Sequence, residues 1–457
     1  MMDTAAAAQV VSGRVVGASA TFARVATDTR SIARDDLFVA LKGEHFDGHD
    51  FVPQAFAAGA AAAVVAEERV GNLSGNLIAV ADPQQALADL ARHWRRGFDL
   101  PLVAVCGSNG KTTTKEMIAS IFREAVGGDG VLATSGNLNN AIGLPLTLLR
   151  LRAPHKLAVV EIGMNHRGET ARLAAVACPT IVVVTNAQRE HQEFMRTVAD
   201  VASEHADAIA ALPSGGVAAI NADDEYADVF ERAARDAHAA ISTFAIARRA
   251  DVTAQSSLAG DGSSLALKTP VGDAEVTLAV PGRHMVSNAL SATAAALAAH
   301  VPLPAIVRGL AAFRPLAGRL SIRDGARGVR IIDDSYNANP DSVRAAIDVL
   351  ANASSNRWLV LGDMGEVGAM GPSFHREIGE YARDAGIEHL LAVGELMAAT
   401  VNAFGPRAAH CASVEALVQR LESEASPGDT ILVKGSRFMR MERVVAALVG
   451  DAAARNH

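Results

Sequence analysis

The stretch VAVCGSNGKTTT (residues 103–114) constrains the fold most, because it places a glycine-rich turn directly between an apolar strand and a helix. Such a turn aims several backbone N–H groups and a helix N-terminus at one point, which favours an anionic phosphate. The earlier glycine of the full Walker pattern is missing, and Val105 stands in its place. The predicted phosphate-binding residues are Gly107, Ser108, Asn109, Gly110, Lys111, Thr112 and Thr113.

Four side chains in and beyond this loop are candidates for chemistry. Lys111 is expected to reach the β- and γ-phosphates of a nucleoside triphosphate, and Thr112 to offer its hydroxyl to Mg²⁺. Mg²⁺ prefers oxygen ligands, and Glu161 follows an apolar run at the strand end where ligands bind in open α/β sheets. His191, just past the next apolar strand, is a further candidate ligand, although a histidine in a polar loop is often a surface residue.

Length and pattern predict three domains of the α/β class. A chain of 457 residues is too long for one core. Apolar strands alternate with alanine-rich amphipathic stretches, as in layered folds with mainly parallel sheets. We predict a small N-terminal α/β substrate domain at 1–98, a central P-loop ATPase domain with a mostly parallel sheet at 99–313, and a Rossmann-like C-terminal domain at 314–457. The absence of GxGxxG argues against a nicotinamide or flavin site.

Charge and cysteine content exclude several classes of protein. A net charge of -8 argues against nonspecific nucleic-acid binding. Three widely spaced cysteines, an odd number, indicate neither a disulfide framework nor a zinc site, which favours a reducing cytoplasm. The N-terminus lacks a basic n-region, and the apolar run from Ala55 is too short to span a bilayer. We expect a cytoplasmic monomer without integral membrane association.

Several separated motifs resemble those of the Mur ligases of peptidoglycan synthesis. The resemblance covers about Val25 to Val445, nearly the whole chain. The motifs are, in order, GSNGKTTT, TSGNLNNAIGLPLTLL, VEIGMNHRGE, TNAQREH, PGRHMVSNALSATAAA, GRL at 318 and IIDDSYNANPDS. The first-domain segment TDTRSIARDDLFVALKGEHFDGHDFV, and the lack of an Asp-Asn-Pro-Arg segment, favour the member that adds D-alanyl-D-alanine to UDP-N-acetylmuramoyl-tripeptide.

The resemblance implies an ATP- and Mg²⁺-dependent amide ligase. The terminal carboxylate of the tripeptide would attack the γ-phosphate of ATP, and the amine of D-alanyl-D-alanine would then displace phosphate from the acyl phosphate. In such a transfer the protein mainly positions the reactants and neutralises charge. Lys111, Glu161 and His191 would be the catalytic residues, and Thr112, Glu161 and His191 the metal ligands.

The resemblance also assigns residues outside the loop. Asn288 would contact adenine, and Arg319 and Asp334 would complete the nucleotide site after closure about residues 313–319. The residues expected at the uridine-nucleotide end of the substrate are Thr29, Arg30, Gly43, Asp47, Gly48 and His49. Asn137, Asn139 and Asn140 would contact the substrate's peptide or carboxylate, and Lys434 and Ser436 the dipeptide. The sequence leaves open whether the third residue of the tripeptide is lysine or diaminopimelate.

One position departs from the family pattern. Many Mur ligases carry a carbamylated lysine shortly after the histidine motif, where this chain has His205 in VASEHADA. A carbamyl group supplies a carboxylate, whereas Mg²⁺ uses histidine reluctantly. We therefore expect Glu204, another acid or water to take over, and our hypothesis is that His205 still lines the site.

Two classes of alternative remain at this point. One is another ligase of the same superfamily, such as a folylpolyglutamate synthetase or the Mur enzyme that adds the diamino acid. The other is a P-loop ATPase whose hydrolysis drives partner binding or movement. The second predicts ATP hydrolysis without an amide product, and it leaves DDSYNANPDS in the last domain unexplained.

Overall fold

Three large β-sheets follow one another along the chain, each flanked by helices. The computed structural model describes residues 1–259, 262–353 and 356–450. The predicted α/β class is confirmed. Irregular segments at 97–101 and 313–320 separate the N-terminal, central and C-terminal regions, which are named here by their sheets. The predicted domain boundaries, 98/99 and 313/314, fall in these segments and stay a prediction.

The N-terminal region has a five-stranded sheet in the order β2-β7-β6-β5-β4, in which β2 is antiparallel and the other pairs are parallel. A further small sheet pairs β1 with β3. The inner strands are buried throughout, as in sheets covered on both faces. The elements are β1 (Met2–Asp3), α1 (Thr4–Val10), β2 (Arg14–Val16), β3 (Thr21–Phe22), β4 (Arg24–Ala26), β5 (Asp36–Val39), α2 (Val52–Ala57), β6 (Ala62–Ala66), β7 (Leu77–Val80) and α3 (Pro83–Arg96).

The central region has a nine-stranded sheet in the order β16-β15-β14-β13-β12-β11-β8-β10-β9. It is parallel from β9 to β14, and the strands β14 to β16 pair antiparallel. The strands are β8 (Leu102–Cys106), β9 (Val131–Ala133), β10 (Leu157–Glu161), β11 (Ile181–Val184), β12 (Val217–Asn221), β13 (Ala240–Ala245), β14 (Val252–Ala259), β15 (Gly262–Thr269) and β16 (Gly272–Leu278). The helices are α4 (Lys111–Val126), α5 (Gly143–Leu148), α6 (Glu169–Ala177), α7 (Val198–Ala210), α8 (Ala227–Asp236), α9 (Arg283–Ala298) and α10 (Leu303–Ala312).

The C-terminal region has a six-stranded sheet in the order β17-β18-β22-β19-β20-β21, with only β17 antiparallel among the described strands. Strands β17 and β21 are short and partly exposed, so they lack the apolar run that marks a buried strand in the sequence. The elements are β17 (Ser321–Asp324), β18 (Arg330–Asp334), α11 (Pro340–Ala351), β19 (Arg357–Gly362), α12 (Gly371–Asp384), β20 (His389–Val393), α13 (Met397–Phe404), β21 (Ala408–Cys411), α14 (Val414–Glu424), β22 (Thr430–Lys434) and α15 (Glu442–Val449).

A deep cleft lies where the three regions meet. Its volume is about 2520 Å³, and its lining includes Arg92 of α3, the loop after β8, and Lys434 at the end of β22. The carboxyl ends of β8, β10 and β11 open into it, which is where ligands bind in sheets of this type. Among the described residues, no helix has both the length and the apolar character that a bilayer crossing needs.

Candidate active site

The loop after β8 can be built only with glycine at two positions. Gly107 and Gly110 have φ values of +125° and +82°, in the region that side chains rarely adopt. A Cβ atom on Gly107 would lie 2.1 Å from Oγ1 of Thr185, and one on Gly110 would lie 2.2 Å from Oδ1 of Asn288. The predicted strand, turn and helix are therefore present, and Asn288 packs directly against the turn.

The side chains of this loop contact distant parts of the chain. Nζ of Lys111 donates to the carbonyl oxygens of Gly107 and Ser108, and it also lies 3.2 Å from Oε2 of Glu190. Nη2 of Arg319, in the segment before β17, donates to Oγ1 of Thr112 at 3.1 Å. The structure thus brings the predicted nucleotide-site residues Thr112 and Arg319 together across two regions.

Glu161, at the end of β10, presents a carboxylate oxygen that suits a cation. Its side chain is buried, and Oε1 accepts a hydrogen bond from Nδ2 of Asn139 at 2.7 Å. Oε2 is also buried but has no hydrogen-bond partner among the described residues, although Glu161 lines the cleft. A carboxylate oxygen left in this state is costly unless a cation or donor binds it. Among the described residues, no three His, Cys, Asp or Glu side chains are grouped so that they could hold a metal ion by themselves. The free oxygen of Glu161 therefore fits a hard cation such as Mg²⁺ that takes its other ligands from phosphate and water.

The three predicted asparagines all line the cleft but have different local roles. Asn139 orients Glu161, as described above. Oδ1 of Asn140 accepts from the backbone N–H groups of Ile142 and Gly143, so it ties down the chain entering α5. The side chain of Asn137 is exposed to the cleft, so a substrate contact stays a prediction for this residue.

The segment after β11 joins the central and C-terminal regions through Arg189. Its guanidinium lies 2.6 Å from Oδ1 of Asp341 in α11 and 2.7 Å from Oε2 of Glu377 in α12. The guanidinium also lies 5.2 Å from the ring centroid of Phe374. We call Arg189, Asp341 and Glu377 the clasp. The sequence gives no sign of the clasp, because Asp341 and Glu377 are 152 and 188 residues away from Arg189.

Glu190, the next residue, was also missed. Its carboxylate is buried, lines the cleft and lies between two nitrogen groups: Oε2 is 3.2 Å from Nζ of Lys111, and Oε1 is 2.9 Å from Nε2 of His205. Burial raises the pKa of this carboxyl, but the charge of Lys111 and the hydrogen bond from His205 outweigh it and lower the pKa to about 2. Glu190 is therefore ionised at neutral pH.

His191 lines the cleft, as expected for a ligand, and is held between two acids. Its Nε2 lies 3.7 Å from Oε2 of Glu190. Its Nδ1 lies 2.6 Å from Oε2 of Glu366 in the C-terminal region, though not along a hydrogen-bond direction. The backbone at His191 has φ of +49°, a left-handed conformation that turns the chain sharply at this point.

At the 204–205 position the hypothesis that His205 lines the site is wrong, and of the three expected substitutes Glu204 lies outside the cleft lining, while another acid or water stays open. His205 is fully buried behind Glu190 and is not part of the cleft lining, so it reaches the site only through that carboxylate. The carboxylate of Glu204 accepts the backbone N–H groups of Gly168 and Thr170 at 2.8 Å each. These bonds hold the N-terminal turn of α6, so Glu204 acts as a structural acid outside the cleft.

The predicted C-terminal residues line the opposite wall of the cleft. Asp334 and Lys434 are register partners on the parallel strands β18 and β22, and Nζ of Lys434 lies 2.6 Å from Oδ2 of Asp334. Oγ of Ser436 accepts from the backbone N–H of Gly365 at 2.7 Å. Asn339 donates to Oδ1 of Asn109 in the phosphate loop at 2.9 Å, which links this wall to the loop.

The six residues predicted at the uridine-nucleotide end, Thr29 to His49, lie outside this cleft as the structure describes it. Arg30 is exposed and pairs with its neighbour Asp28 at 2.6 Å. His49 is buried, donates to Asp47 through Nδ1 and accepts the backbone N–H of Ala66 at Nε2. A Cβ on Gly48 would lie 2.6 Å from the carbonyl oxygen of Leu41. Packing thus explains Gly48 and His49, and substrate contacts of this set stay a prediction.

Family models match three successive parts of the chain. The Mur ligase family, catalytic domain, matches residues 21–95, the Mur ligase middle domain residues 105–296, and the Mur ligase, glutamate ligase domain residues 318–437. The chain belongs to the Mur ligase family. This confirms the resemblance that the motifs indicated, and the nucleotide loop, Glu161 and His191 all lie in the middle domain of this Mur ligase.

Individual Mur ligases match over nearly the full length. The UDP-N-acetylmuramoyl-tripeptide--D-alanyl-D-alanine ligase of Escherichia coli strain K12 is 39% identical over 96% of each chain. The crystal structure of MurF from Acinetobacter baumannii has a TM-score of 0.90 at 32% identity and covers 97% of each chain. MurF ligase from Thermotoga maritima, in complex with ADP, has a TM-score of 0.82 at 25% identity, covering 94% of this chain and 98% of that one.

Proposed function

We propose that this Mur ligase joins D-alanyl-D-alanine to UDP-N-acetylmuramoyl-tripeptide at the expense of ATP, as the names of its relatives state for them. The observation that supports this most is the single cleft lined by all three regions, in which the phosphate loop faces Lys434 and Ser436. This ligase must align three substrates, namely ATP, a long nucleotide-sugar peptide and a dipeptide. Their reacting groups therefore have to bind next to one another in one cleft.

A carboxylate is a weak electrophile, so it must be phosphorylated before an amine can attack its carbon. An oxygen of the tripeptide's terminal carboxylate attacks the γ-phosphorus, and the bond to the bridging oxygen breaks to release ADP. The amine of the dipeptide then attacks the carbonyl carbon of the acyl phosphate, loses a proton and displaces inorganic phosphate. Lys111 and the loop amides offset the charge on the transferred phosphoryl group.

The proposed function assigns roles to residues of the central region and of the C-terminal wall of the cleft. Mg²⁺ would be held by Thr112, Glu161 and His191, where it would neutralise phosphate charge. Arg319 is close enough to Thr112 to act on the same phosphates from the C-terminal wall. Lys434, held by Asp334, would meet the carboxylate end of the dipeptide, with Ser436 beside it. Asn288 would contact the nucleotide, and its position against Gly110 supports that assignment.

The proposed setting is the cytoplasm, with the protein acting as a monomer in peptidoglycan precursor synthesis. There the N-terminal region would hold the uridine diphosphate of the substrate through Arg30 and its neighbours. Residues of α3 such as Gln84 and Arg92, which line the cleft, would face the peptide portion.

One assay tests the proposal. Purified protein is given ATP, Mg²⁺, D-alanyl-D-alanine and UDP-N-acetylmuramoyl-tripeptide ending in either lysine or diaminopimelate, and phosphate and pentapeptide product are measured together. We expect equal amounts of phosphate and product, with phosphate release dependent on the dipeptide. Phosphate release that ignores both peptide substrates would instead support the ATPase alternative.

A further inference from the structure

The buried carboxylate of Glu190 is left without a role by the reaction as described so far. It lines the cleft, and its two oxygens contact Lys111 and His205. A carboxylate buried in a protein interior is retained only where cations or hydrogen-bond donors compensate it. When Lys111 contacts the phosphates of a bound nucleotide, another positive group is needed to balance the carboxylate of Glu190.

We propose that Glu190 is a metal ligand of this ligase, supplying the carboxylate that is missing at position 205, and that His205 is its positioning residue. The inference rests on the ATP and Mg²⁺ dependence proposed above. It assigns to one loop, residues 190–191, two adjacent ligands of different chemistry, Glu190 and His191.

Charge balance in the cleft supports this assignment. Nζ of Lys111 contacts Oε2 of Glu190 at 3.2 Å, and the proposed reaction requires the same ammonium group to contact phosphate oxygens. If the ammonium group of Lys111 contacts both groups, its single positive charge cannot balance the negative charges of the Glu190 carboxylate and of the polyphosphate beside it. A divalent cation held by Glu190 would remove that conflict, because it would compensate the carboxylate and also attract the phosphates. Glu161 offers a second such oxygen to the same cleft.

His205 has the geometry of a group that acts through another. It is 1% exposed, and its Nε2 bonds to Oε1 of Glu190 at 2.9 Å, which leaves Oε2 directed to the Lys111 side. An outer partner that fixes a ligating carboxylate in this way commonly changes metal affinity by about 10- to 100-fold when it is removed. This accounts for a histidine at a position where hard cations would not use it directly.

The test measures metal binding rather than turnover. Mn²⁺ binding to the full chain with a non-hydrolysable ATP analogue is followed by electron paramagnetic resonance. We expect Glu190→Gln to lose a bound Mn²⁺ relative to wild type, Glu190→Asp to keep it with lower affinity, and His205→Ala to weaken it by roughly 10-fold or more. Glu193→Gln, an exposed acid on the same loop, is the matched control and should bind as wild type does.

Other results of this binding experiment would contradict the assignment of Glu190 as a metal ligand or the proposed cofactor. Glu190→Gln binding Mn²⁺ as tightly as wild type would overturn the assignment, and so would equal losses in Glu190→Asp and Glu190→Gln, since the charge would then not matter. Thermal unfolding of each variant separates loss of a ligand from loss of the fold, and Glu190→Asp keeps the test available if Glu190→Gln unfolds. Wild-type protein that binds no Mn²⁺ with nucleotide would contradict the proposed cofactor instead.

Discussion

The cleft and the N-terminal turn region, residues 28–49, are built in opposite ways. In the cleft, partners are far apart in sequence: 79 residues for Lys111 and Glu190, and 207 for Thr112 and Arg319. In the turn region the charged pairs are closer in sequence, from two residues for Asp28 and Arg30 to 22 for Asp47 and Arg69, and they lie within the N-terminal region. Pairs within one region, including Lys111 and Glu190, form whether or not the regions close, whereas the Thr112–Arg319 pair exists only when the central and C-terminal regions meet. The first arrangement suits recognition, and the second suits chemistry.

The largest effect should come from the phosphate loop. Lys111→Ala removes the ammonium that offsets phosphoryl charge, and we expect kcat/KM to fall by about 10³-fold. Steady-state assays of phosphate and amide product measure this. The control is Lys156→Ala, since Lys156 is exposed at the opposite end of β10 and should change little. If Lys111→Ala retained its activity, the cleft could no longer be assigned to chemistry and distinguished in that way from the turn region.

The next effect concerns Glu161 and the residue that orients it. Glu161→Gln removes the buried oxygen that fits a cation, so kcat should fall by roughly 10²-fold and the apparent Mg²⁺ requirement should rise. Asn139→Ala leaves the carboxylate in place but unoriented, with an expected loss of about 10-fold. Titration of activity with Mg²⁺ separates the two variants, and an equal loss in both would mean that Asn139 itself contacts substrate.

A smaller effect should follow from breaking the clasp. Arg189→Ala leaves Asp341 without its guanidinium partner and Glu377 with Arg344 alone, and it weakens closure by about 2 kcal/mol, so kcat/KM should fall by roughly 10-fold. Small-angle scattering should show a more open average shape. Arg196→Ala, an exposed arginine after the same strand, is the control. An unchanged shape in Arg189→Ala would show that the apolar contacts between the two regions hold closure without the clasp.

The N-terminal region should respond through affinity alone. Arg30→Ala is expected to raise KM for the UDP-linked substrate by roughly 3- to 10-fold through loss of a diphosphate contact, with kcat unchanged. Arg34→Ala, which removes an even more exposed arginine nearby, serves as the control. A lowered kcat for Arg30→Ala would contradict the division between recognition and chemistry.

The smallest effect is on stability and depends on pH. The hydrogen bond from Arg189 lowers the pKa of Glu377 below its ordinary value of 4.5, and burial only partly opposes it. A lowered folded-state pKa stabilises the fold above 4.5, and this contribution is lost as pH falls through the folded-state pKa. The stability difference between wild type and Glu377→Gln, measured by urea unfolding, should therefore shrink in acid. A difference that stays constant down to pH 3 would exclude the ion pair as its cause.

The sequence predicts a site residue well when the groups that define its role are close to it along the chain. The loop from Gly107 to Thr113 was predictable because strand, turn and helix are contiguous, and Glu161 because a strand end is visible in the sequence. Glu190 and Arg189 were missed because their partners are found only after the sheet order brings β8, β11 and α11 together. His205 was placed wrongly for the same reason, since a motif gives a position in the chain but not the side chain that lies between it and the cleft.

The edges of the central sheet bear on how the protein behaves when concentrated. An unpaired strand edge is a template for aggregation. At one end of this sheet the edge strand β9 has only three residues, Val131–Ala133, and at the other end α10 lies against β16. Because a strand of three residues offers few unpaired backbone groups, the β9 edge should take little part in sheet-to-sheet association between molecules at the high concentrations that spectroscopy and crystallisation need.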